Sequence, residues 1–399
     1  MTEYPIDNEM PRYRSVFTAS PRVVIDEGDY RMPGVPLHFG DPSGEQWALE
    51  AGSGLVDRGD LGIVTVTGAD RQKWLTSLSS QIVTGMSVGD SKELLILDPQ
   101  GHIEHACAVL DDGDTTWLVT ALSRTQALEH WLNSMKFMLR VDVRRPDNRR
   151  IFATVGEAST RGVSHLPGYC ATWTDPWPGV SDGGAEYFQG AHPAENIRMF
   201  LHLVDADAAS DFAHAWMLAD AKRRPTGWLA WNAMRIAAWK PDIAFDVDER
   251  TIPAELDWLR TAVHTNKGCY RGQESVARVI NLGRPPRRLV MLQLDGSRGD
   301  LPAVGSAIMW GPRRVGTVTS VARHADWGPI ALALVMRNVP ADVVFDLDGI
   351  AAAQEVIVPV DGKSSISPAQ RPGVGMVNPA LRRPDVPAFG GGSAIGGRS

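Results

Sequence analysis

Lys267-Gly268-Cys269-Tyr270-Arg271-Gly272-Gln273-Glu274 is the stretch that decides how this chain is read. It sets a thiol, a lysine, an arginine, a phenol, an amide and a carboxylate around two glycines, with no bulky aliphatic residue. Burial alone does not account for such a composition. Glycine permits backbone conformations closed to other residues and lets another chain or a ligand come close to the main chain. Lys267 and Arg271 flank Cys269, and a positive field of that kind favours thiolate. The residues that follow, Gln273–Ile280, have a helical pattern. With Gly272 as its cap, that helix would present its N-terminus just after Cys269, a second influence in the same direction. Local physics leaves two readings open: a reactive thiol in a binding loop, or a tight turn that contains a cysteine.

The chain of 399 residues is long enough for two or three cores. Forty basic residues against forty-seven acidic ones leave a net charge of -7, which disfavours bulk coating of nucleic acid. No apolar run approaches the ~18 residues that span a membrane. The start, residues 1–27, is polar and broken by proline, so a cytoplasmic protein is expected. Cys107, Cys170 and Cys269 are widely separated, which argues against a disulfide framework or a paired-cysteine metal site.

Working outward from the motif, residues 1–44 read as a loop-rich segment with many prolines. A strand at Ile63–Val66, a helix carrying Trp74, Leu75 and Leu78, and a hairpin of Glu93–Leu97 with Ile103–Leu110 follow. Asp98-Pro99-Gln100-Gly101 supplies the turn residues of that hairpin. Another strand, Trp117–Thr120, precedes an amphipathic helix over Ala127–Leu139, with Leu128, Trp131, Leu132, Met135 and Leu139 inward. A second round starts at Ile151–Val155, with a split near residue 150. Leu166–Ala191 reads as a surface loop, Met199–Val204 as a strand, and Phe212–Ala221 and Leu229–Trp239 as helices. A short helix over Ala254–Val263 leads into the motif. After Pro285-Pro286 the pattern turns to short strands, a small all-β domain over 285–360. Residues 361–399 read as a disordered tail. The class is α+β.

Several residue groups outside the motif have the types that chemistry uses. His102, Glu104 and His105 are metal-ligand types, but on a strand only two of them share a side, so no metal site is expected. Alternation puts His105 on the face of Ile103 and Cys107, toward an interior or pocket. The acidic run Asp242, Asp246, Asp248, Glu249 lacks the spacing of a calcium loop. Asp248 or Glu255 is a candidate partner for a polar heterocycle. Arg278, Arg284, Arg287, Arg288, Arg313 and Arg314 form a cluster suited to carboxylates or phosphates. No GxGxxG, Walker or GxSxG pattern is present.

Lys267–Glu274 resembles the KGCYxGQE signature of YgfZ-type folate-binding proteins, relatives of the glycine-cleavage T-protein (aminomethyltransferase). Gly54–Arg58, Val66–Asp70, Trp74–Ile82, Asp98–Ile103, Arg235 and Ile252–Glu255 are similar to other shared segments, so the resemblance covers roughly residues 45–360. It implies a cloverleaf of two α+β lobes within 45–284 and a C-terminal small β-barrel around a central channel. It also implies tetrahydrofolate, or a one-carbon or polyglutamyl derivative, in that channel. Under this likeness Glu195 or Glu255 would meet the pterin, and Tyr270 or Trp239 the aromatic ring. The arginine cluster would meet the glutamate tail. Asp98, Arg235, Arg271, Gln273 and Glu274 join the expected cofactor-binding set, and Cys269, Lys267 and His105 the catalytic one. Aminomethyltransferases carry paired aspartates where this chain has His105-Ala106, and alanine cannot move a proton. The expectation is therefore an accessory factor for iron–sulfur cluster assembly or repair, with iron–sulfur proteins as clients and tRNA modification downstream. Direct tRNA binding is a further possibility of the arginine patch. The alternative is a folate-dependent aminomethyltransferase or amine demethylase, with His105 as base.

Overall fold

The computed structural model describes residues 13–369, other than 26–28, 30 and 298. Three parts surround a common centre. The first is a five-stranded antiparallel sheet in the order Ser91–Leu97, Ile103–Asp111, Thr115–Ala121, Leu61–Thr67, Asp142–Arg144. The second has the order Tyr169–Thr174, Met199–Asp205, Arg149–Val155, Gly54–Asp57, Arg224–Thr226, with its last pair parallel. The third is a closed six-stranded barrel, from Arg287–Leu294 to Ile350–Val356. The α+β cloverleaf with a C-terminal barrel is thus the fold of this chain.

Burial on both faces explains the unbroken apolar runs. In Leu94-Leu95-Ile96-Leu97, Leu94 and Ile96 pack under the helices Arg71–Leu78 and Thr125–Met135, against Trp74, Leu75, Leu128 and Leu132. Leu95 and Leu97 face the centre, with Trp177, Trp239 and Trp258. The barrel strand Arg287–Leu294 divides in the same way: Val290 and Leu292 point inside, while Leu289 and Met291 join the central cluster. Such strands read as continuous hydrophobic segments because neither face meets water.

The helix Trp228–Ala237 runs through this centre and is buried nearly all round. Arg235 lies inside it. Its guanidinium donates to Asp246 at 2.7 Å, to Ser320 at 2.7 Å, to Asn232 at 2.8 Å and to the Lys240 carbonyl at 2.8 Å. The helix closes with two backbone bonds, Lys240 N–H to Arg235 C=O and Trp239 N–H to Ile236 C=O. Trp239 takes the left-handed conformation there (φ 57°), a position glycine usually fills. The packing of its ring on Phe188 and His192 holds it in place.

Several expectations need correction. Ala254–Val263 is not a helix: a single 3-10 turn, Pro253–Glu255, is followed by turns, because Asp257 adopts φ 58°. Leu166–Ala191 is not all loop, since Tyr169–Thr174 is a strand paired with Met199–Asp205. The helix expected to reach Leu139 ends at Met135, and Met135 and Leu139 are exposed rather than inward. The barrel has a further strand, Val344–Leu347, that the sequence pattern did not reveal. Residues 361–369, read as the start of a tail, are held to the body: Ser365 N–H donates to the Glu186 carbonyl and Ser367 Oγ to that of Ile280. The rest of that segment and residues 1–12 lie outside the described residues.

Removing the Arg235 guanidinium leaves the fully buried Asp246 without its ion-pair partner. Arg235→Ala is expected to cost about 3–5 kcal/mol of stability, the range for an abandoned buried charge. Urea denaturation measures it, and a loss within ~1 kcal/mol would remove Arg235 from this role.

Candidate functional site

The motif is fixed by close contact with the hairpin turn. Gly272 has φ 82°, and a Cβ placed there would lie 2.6 Å from the Asp98 carbonyl oxygen and 3.0 Å from Leu97 Cβ. A Cβ on Gly101 would come 2.7 Å from Ser275 Cβ. Both glycines are therefore required by approach as well as by backbone conformation. Gly268, by contrast, meets nothing within 4 Å. The turn is tied internally: Asp98 accepts from the His102 backbone N–H and pairs with its imidazole Nδ1, both at 2.8 Å. Burial alone would raise the Asp98 carboxyl, but these bonds outweigh it and hold the group below the ordinary range. Asp98 is thus a turn-forming residue.

Lys267 donates to the carbonyls of Thr76 and Ser79, at the C-terminal end of helix Arg71–Leu78. A cation there neutralises the negative end of the helix. Its ammonium also lies 4.6 Å from the Tyr270 ring centroid. Burial lowers the Lys267 pKa to about 8 and pushes Tyr270 up to about 12. Arg271 pairs with Glu104 at 2.8 Å. Among the described residues no hydrogen bond joins either cation to the Cys269 sulfur. Gln273 accepts from the Tyr270 backbone N–H at 3.1 Å, closing the loop before helix Gln273–Leu282. Glu274 is exposed in the first turn of that helix, where a carboxylate suits the dipole. All three cysteines are free, with Cys107 buried, Cys170 half-buried and Cys269 exposed.

Four residues expected at the site are occupied elsewhere. Glu255 is fully buried and bound by Arg287, whose guanidinium approaches at 2.8 and 3.0 Å; Arg287 also holds Asp248. Arg235 lines the central cavity, but four of its N–H donors are taken within the protein as described above. Glu195 is exposed and accepts from the His192 backbone N–H, so it caps a 3-10 turn. His105 faces away from the centre. A β-bulge breaks the alternation, because Leu97 pairs with Ile103 but Ile96 with His105. Ile103 and Ala106 therefore face the central cluster, while Cys107 packs under the helices and His105 lies beside Trp131. Burial, with a smaller contribution from the Arg124 charge, lowers the His105 pKa to about 3. A neutral imidazole under a helix layer is not a base for a ligand in the channel.

The central cavity has a different set of polar groups, none of them evident from local sequence. It encloses about 700 Å³, including its mouth, and its walls include Leu95, Ala106, Trp173, Trp231, Trp258 and Ala262. Lys240 bridges two acids there, Glu93 at 2.8 Å and Asp175 at 2.9 Å, and lies 5.5 Å from the ring of Trp173 and 5.2 Å from that of Trp177. Thr261 donates to the other oxygen of Glu93. Burial raises Asp175 to about 6 against the opposing pull of Lys240. Arg58 also reaches the cavity but is paired with Asp60 at 2.6 Å. Tyr270 packs against the same apolar cluster that contributes Leu95, Trp258 and Ala262 to the cavity walls, without lining the cavity itself. Among the described residues no group of three or more His, Cys, Asp or Glu is poised to hold a metal, and no helix is long and apolar enough to cross a membrane.

The depressed His105 pKa has a definite sign. The unfolded histidine binds a proton below about pH 6.5 and the folded one does not until about pH 3. The contribution is complete above pH 6.5 and is lost as the pH falls toward 3, by up to about 1.4 kcal/mol per pH unit. His105→Leu is expected to flatten the stability profile between pH 4 and 6. An unchanged profile would mean that His105 takes up its proton in the fold.

No protein-family model matches the chain. It is 27% identical over 291 residues to the "tRNA-modifying protein YgfZ" of Cronobacter sakazakii, covering 71% of this chain and 84% of that protein. Its identity to a protein of the same name from Escherichia coli is 26% over 295 residues, covering 71% and 85%. An aminomethyltransferase of Streptomyces avermitilis is 24% identical over 323 residues, covering 75% and 83%. In structure the chain is similar to the glycine cleavage system aminomethyltransferase T from Bartonella henselae, with a TM-score of 0.66 at 19% identity, covering 84% of this chain and 94% of that one. In sequence the chain is thus similar to YgfZ-type proteins and to an aminomethyltransferase, and in fold to the aminomethyltransferase T.

Proposed function

We propose that the protein is a tetrahydrofolate-binding accessory factor for iron–sulfur cluster assembly or repair, acting indirectly on tRNA modification. The central cavity is the observation that carries this reading. Its walls combine indoles with a few buried polar groups, the lining that small-molecule sites have. Glu93 and Asp175 supply acceptors suited to the donor edge of a pterin, and the tryptophans offer flat apolar surface to the rings. The two cavity arginines are committed to acids, so these groups fit the heterocycle better than the glutamate tail. Tetrahydrofolate would supply a one-carbon carrier. The chain's own residues bind and orient it: Lys240 holds Glu93 and Asp175 in place, and Trp173 and Trp258 exclude water.

Cys269 is the thiol we assign to the client-facing step. It is the exposed member of the three cysteines, on a loop anchored on both sides by Lys267 and Gly272. A soft sulfur ligand open to solvent suits contact with a cluster iron, or attack as thiolate on the outer sulfur of a donor persulfide, which releases the donor thiolate and leaves the persulfide on Cys269. Lys267 and Arg271 serve here to fix the loop, through the helix end and through Glu104. The tRNA connection rests on the name carried by the relatives and is placed downstream, through client enzymes.

The second reading, a folate-dependent aminomethyltransferase or amine demethylase, draws on Glu93. This residue enters the cavity opposite Ala108, one pleat from the Leu95–Ala106 pair, so a carboxylate remains near the position that Ala106 leaves empty of acid. Turnover of methylated amines by the pure protein would favour it.

Titration with tetrahydrofolate is expected to change tryptophan fluorescence, and Glu93→Gln or Lys240→Met to weaken binding by about tenfold or more. No binding by the unaltered protein would overturn both folate readings. Cys269→Ala is expected to keep folate binding while radical-type iron–sulfur enzymes lose activity in cells. Unchanged enzyme activity would remove the role given to Cys269.

A further inference from the structure

Residues 181–188, which form neither helix nor strand, are bonded to the run 257–265 that leads into the motif. Ser181 N–H donates to the Arg260 carbonyl at 3.0 Å, Ala185 N–H to that of Leu259 at 2.9 Å, and Thr265 N–H to that of Gly183 at 2.8 Å. Ser365 N–H holds the same strap from the other side, through the Glu186 carbonyl at 2.8 Å. Asp257 is fully buried next to the strap, and neither of its carboxyl oxygens has a hydrogen-bond partner. The Tyr187 hydroxyl, buried within the strap, has none either. A buried acceptor without a donor is costly, and far more so when it is charged. The groups that act on Asp257 among the described residues are Arg260 on its own turn and Glu186 and Tyr187 on the strap. Burial raises the Asp257 pKa to about 7, against the Arg260 charge and the Tyr187 main-chain N–H, which lies near without closing a hydrogen bond; Glu186 adds a small push upward. Arg260 is only loosely held. Its Nε donates to the Trp177 carbonyl at 3.2 Å, while its Nη1 makes no hydrogen bond and lies 3.6 Å from Glu186. Trp177 in turn donates its N–H to Asp175, one of the acids of the central cavity.

We propose that the strap 181–188 is a proton-controlled latch beside the central cavity, closed while Asp257 is protonated and released when Asp257 is ionised. A protonated Asp257 leaves Arg260 on Glu186 and on the Trp177 carbonyl. An ionised one competes for Arg260, the cation that acts on it, and both of those contacts are given up. The strap then loses its tie at Glu186, and Trp177 loosens beside Asp175, so the latch reaches the cavity wall. A carboxyl exposed to water by opening ionises near pH 4, whereas the closed one does so near 7, so the closed strap holds the extra proton between those values. Opening therefore becomes more favourable by about tenfold per pH unit between about pH 5 and 7, and is constant well above 7. The latch is independent of what the cavity binds.

Amide hydrogen exchange on the full chain, without ligand, tests this once rates are corrected for intrinsic exchange. The amides of Ser181, Ala185 and Thr265 are expected to open more often as the pH rises from 5 to 7, by about tenfold per unit, and to level off above. At pH 7 they should open about tenfold or more often than those of Val290 and Leu292 in the barrel. Asp257→Asn keeps the shape and tolerates the left-handed backbone (φ 58°) but has no proton to lose. It is expected to abolish the pH dependence and, at pH 8, to protect the strap by about tenfold or more over the unaltered protein, with the barrel amides showing that the variant is folded. A strap that opens no more often than the barrel, a flat profile in the unaltered protein, or a slope that survives Asp257→Asn would each overturn the latch.

Discussion

The buried guanidinium of Arg235 is the interaction on which the centre of the molecule depends. It ties together the helix Trp228–Ala237, the loop through Asp246 and the barrel strand that carries Ser320. It also grips Lys240, because the Lys240 N–H bonds to the Arg235 carbonyl and the Lys240 carbonyl accepts from the guanidinium. With its backbone held at both ends, Lys240 can extend only toward the cavity, where it meets Glu93 and Asp175. One arginine therefore joins two of the three parts and sets the charge of the space between them. Arg235 was expected to touch the cofactor. Its contribution is to position Lys240, and four of its five N–H donors are used within the protein.

The motif follows a similar logic. Its two cations look, in sequence, like activators of the thiol between them. In the fold Lys267 closes a helix end and Arg271 pairs with Glu104, so both serve to fix the loop. Gly272 lets the loop press against the hairpin turn to within van der Waals distance. The result is a rigid loop with the sulfur left outside. Any chemistry of Cys269 then depends on accessibility and on what a partner brings.

Much of the fold was legible because it rests on short-range patterns. The hairpin around Asp98–Gly101 and most barrel strands follow from alternation and turn residues. The strand Tyr169–Thr174 was hidden because its neighbourhood is rich in Gly, Pro and Trp. The helix expected after Ala254 failed at Asp257, a non-glycine residue in the left-handed region that no sequence pattern announces. His105 was misplaced by one bulge, since a single extra residue reverses every side chain beyond it. The cavity's charges were invisible for another reason. Lys240 lies 147 positions from Glu93 and 65 from Asp175, and contacts of that range leave no local periodicity.

A buried charge cluster is poor value as a device for stability. Desolvating an ion costs several kcal/mol, and well-packed apolar residues of similar volume are often as stable or more so. Arg235 and Asp246 form a neutral pair, with four guanidinium N–H bonds made and both carboxylate oxygens engaged, as a structural role requires. Glu93, Asp175 and Lys240 do not balance: with both acids ionised they carry one net negative charge, at the wall of a cavity. Asp175 responds to that imbalance, its pKa driven up to about 6 by burial. An unbalanced acid beside indole surface is what a donor-bearing heterocycle would complete. The contrast between the two clusters, whose cations Arg235 and Lys240 lie 5 residues apart along the chain, separates the part of this centre that is matched within the fold from the part that keeps an unmatched charge.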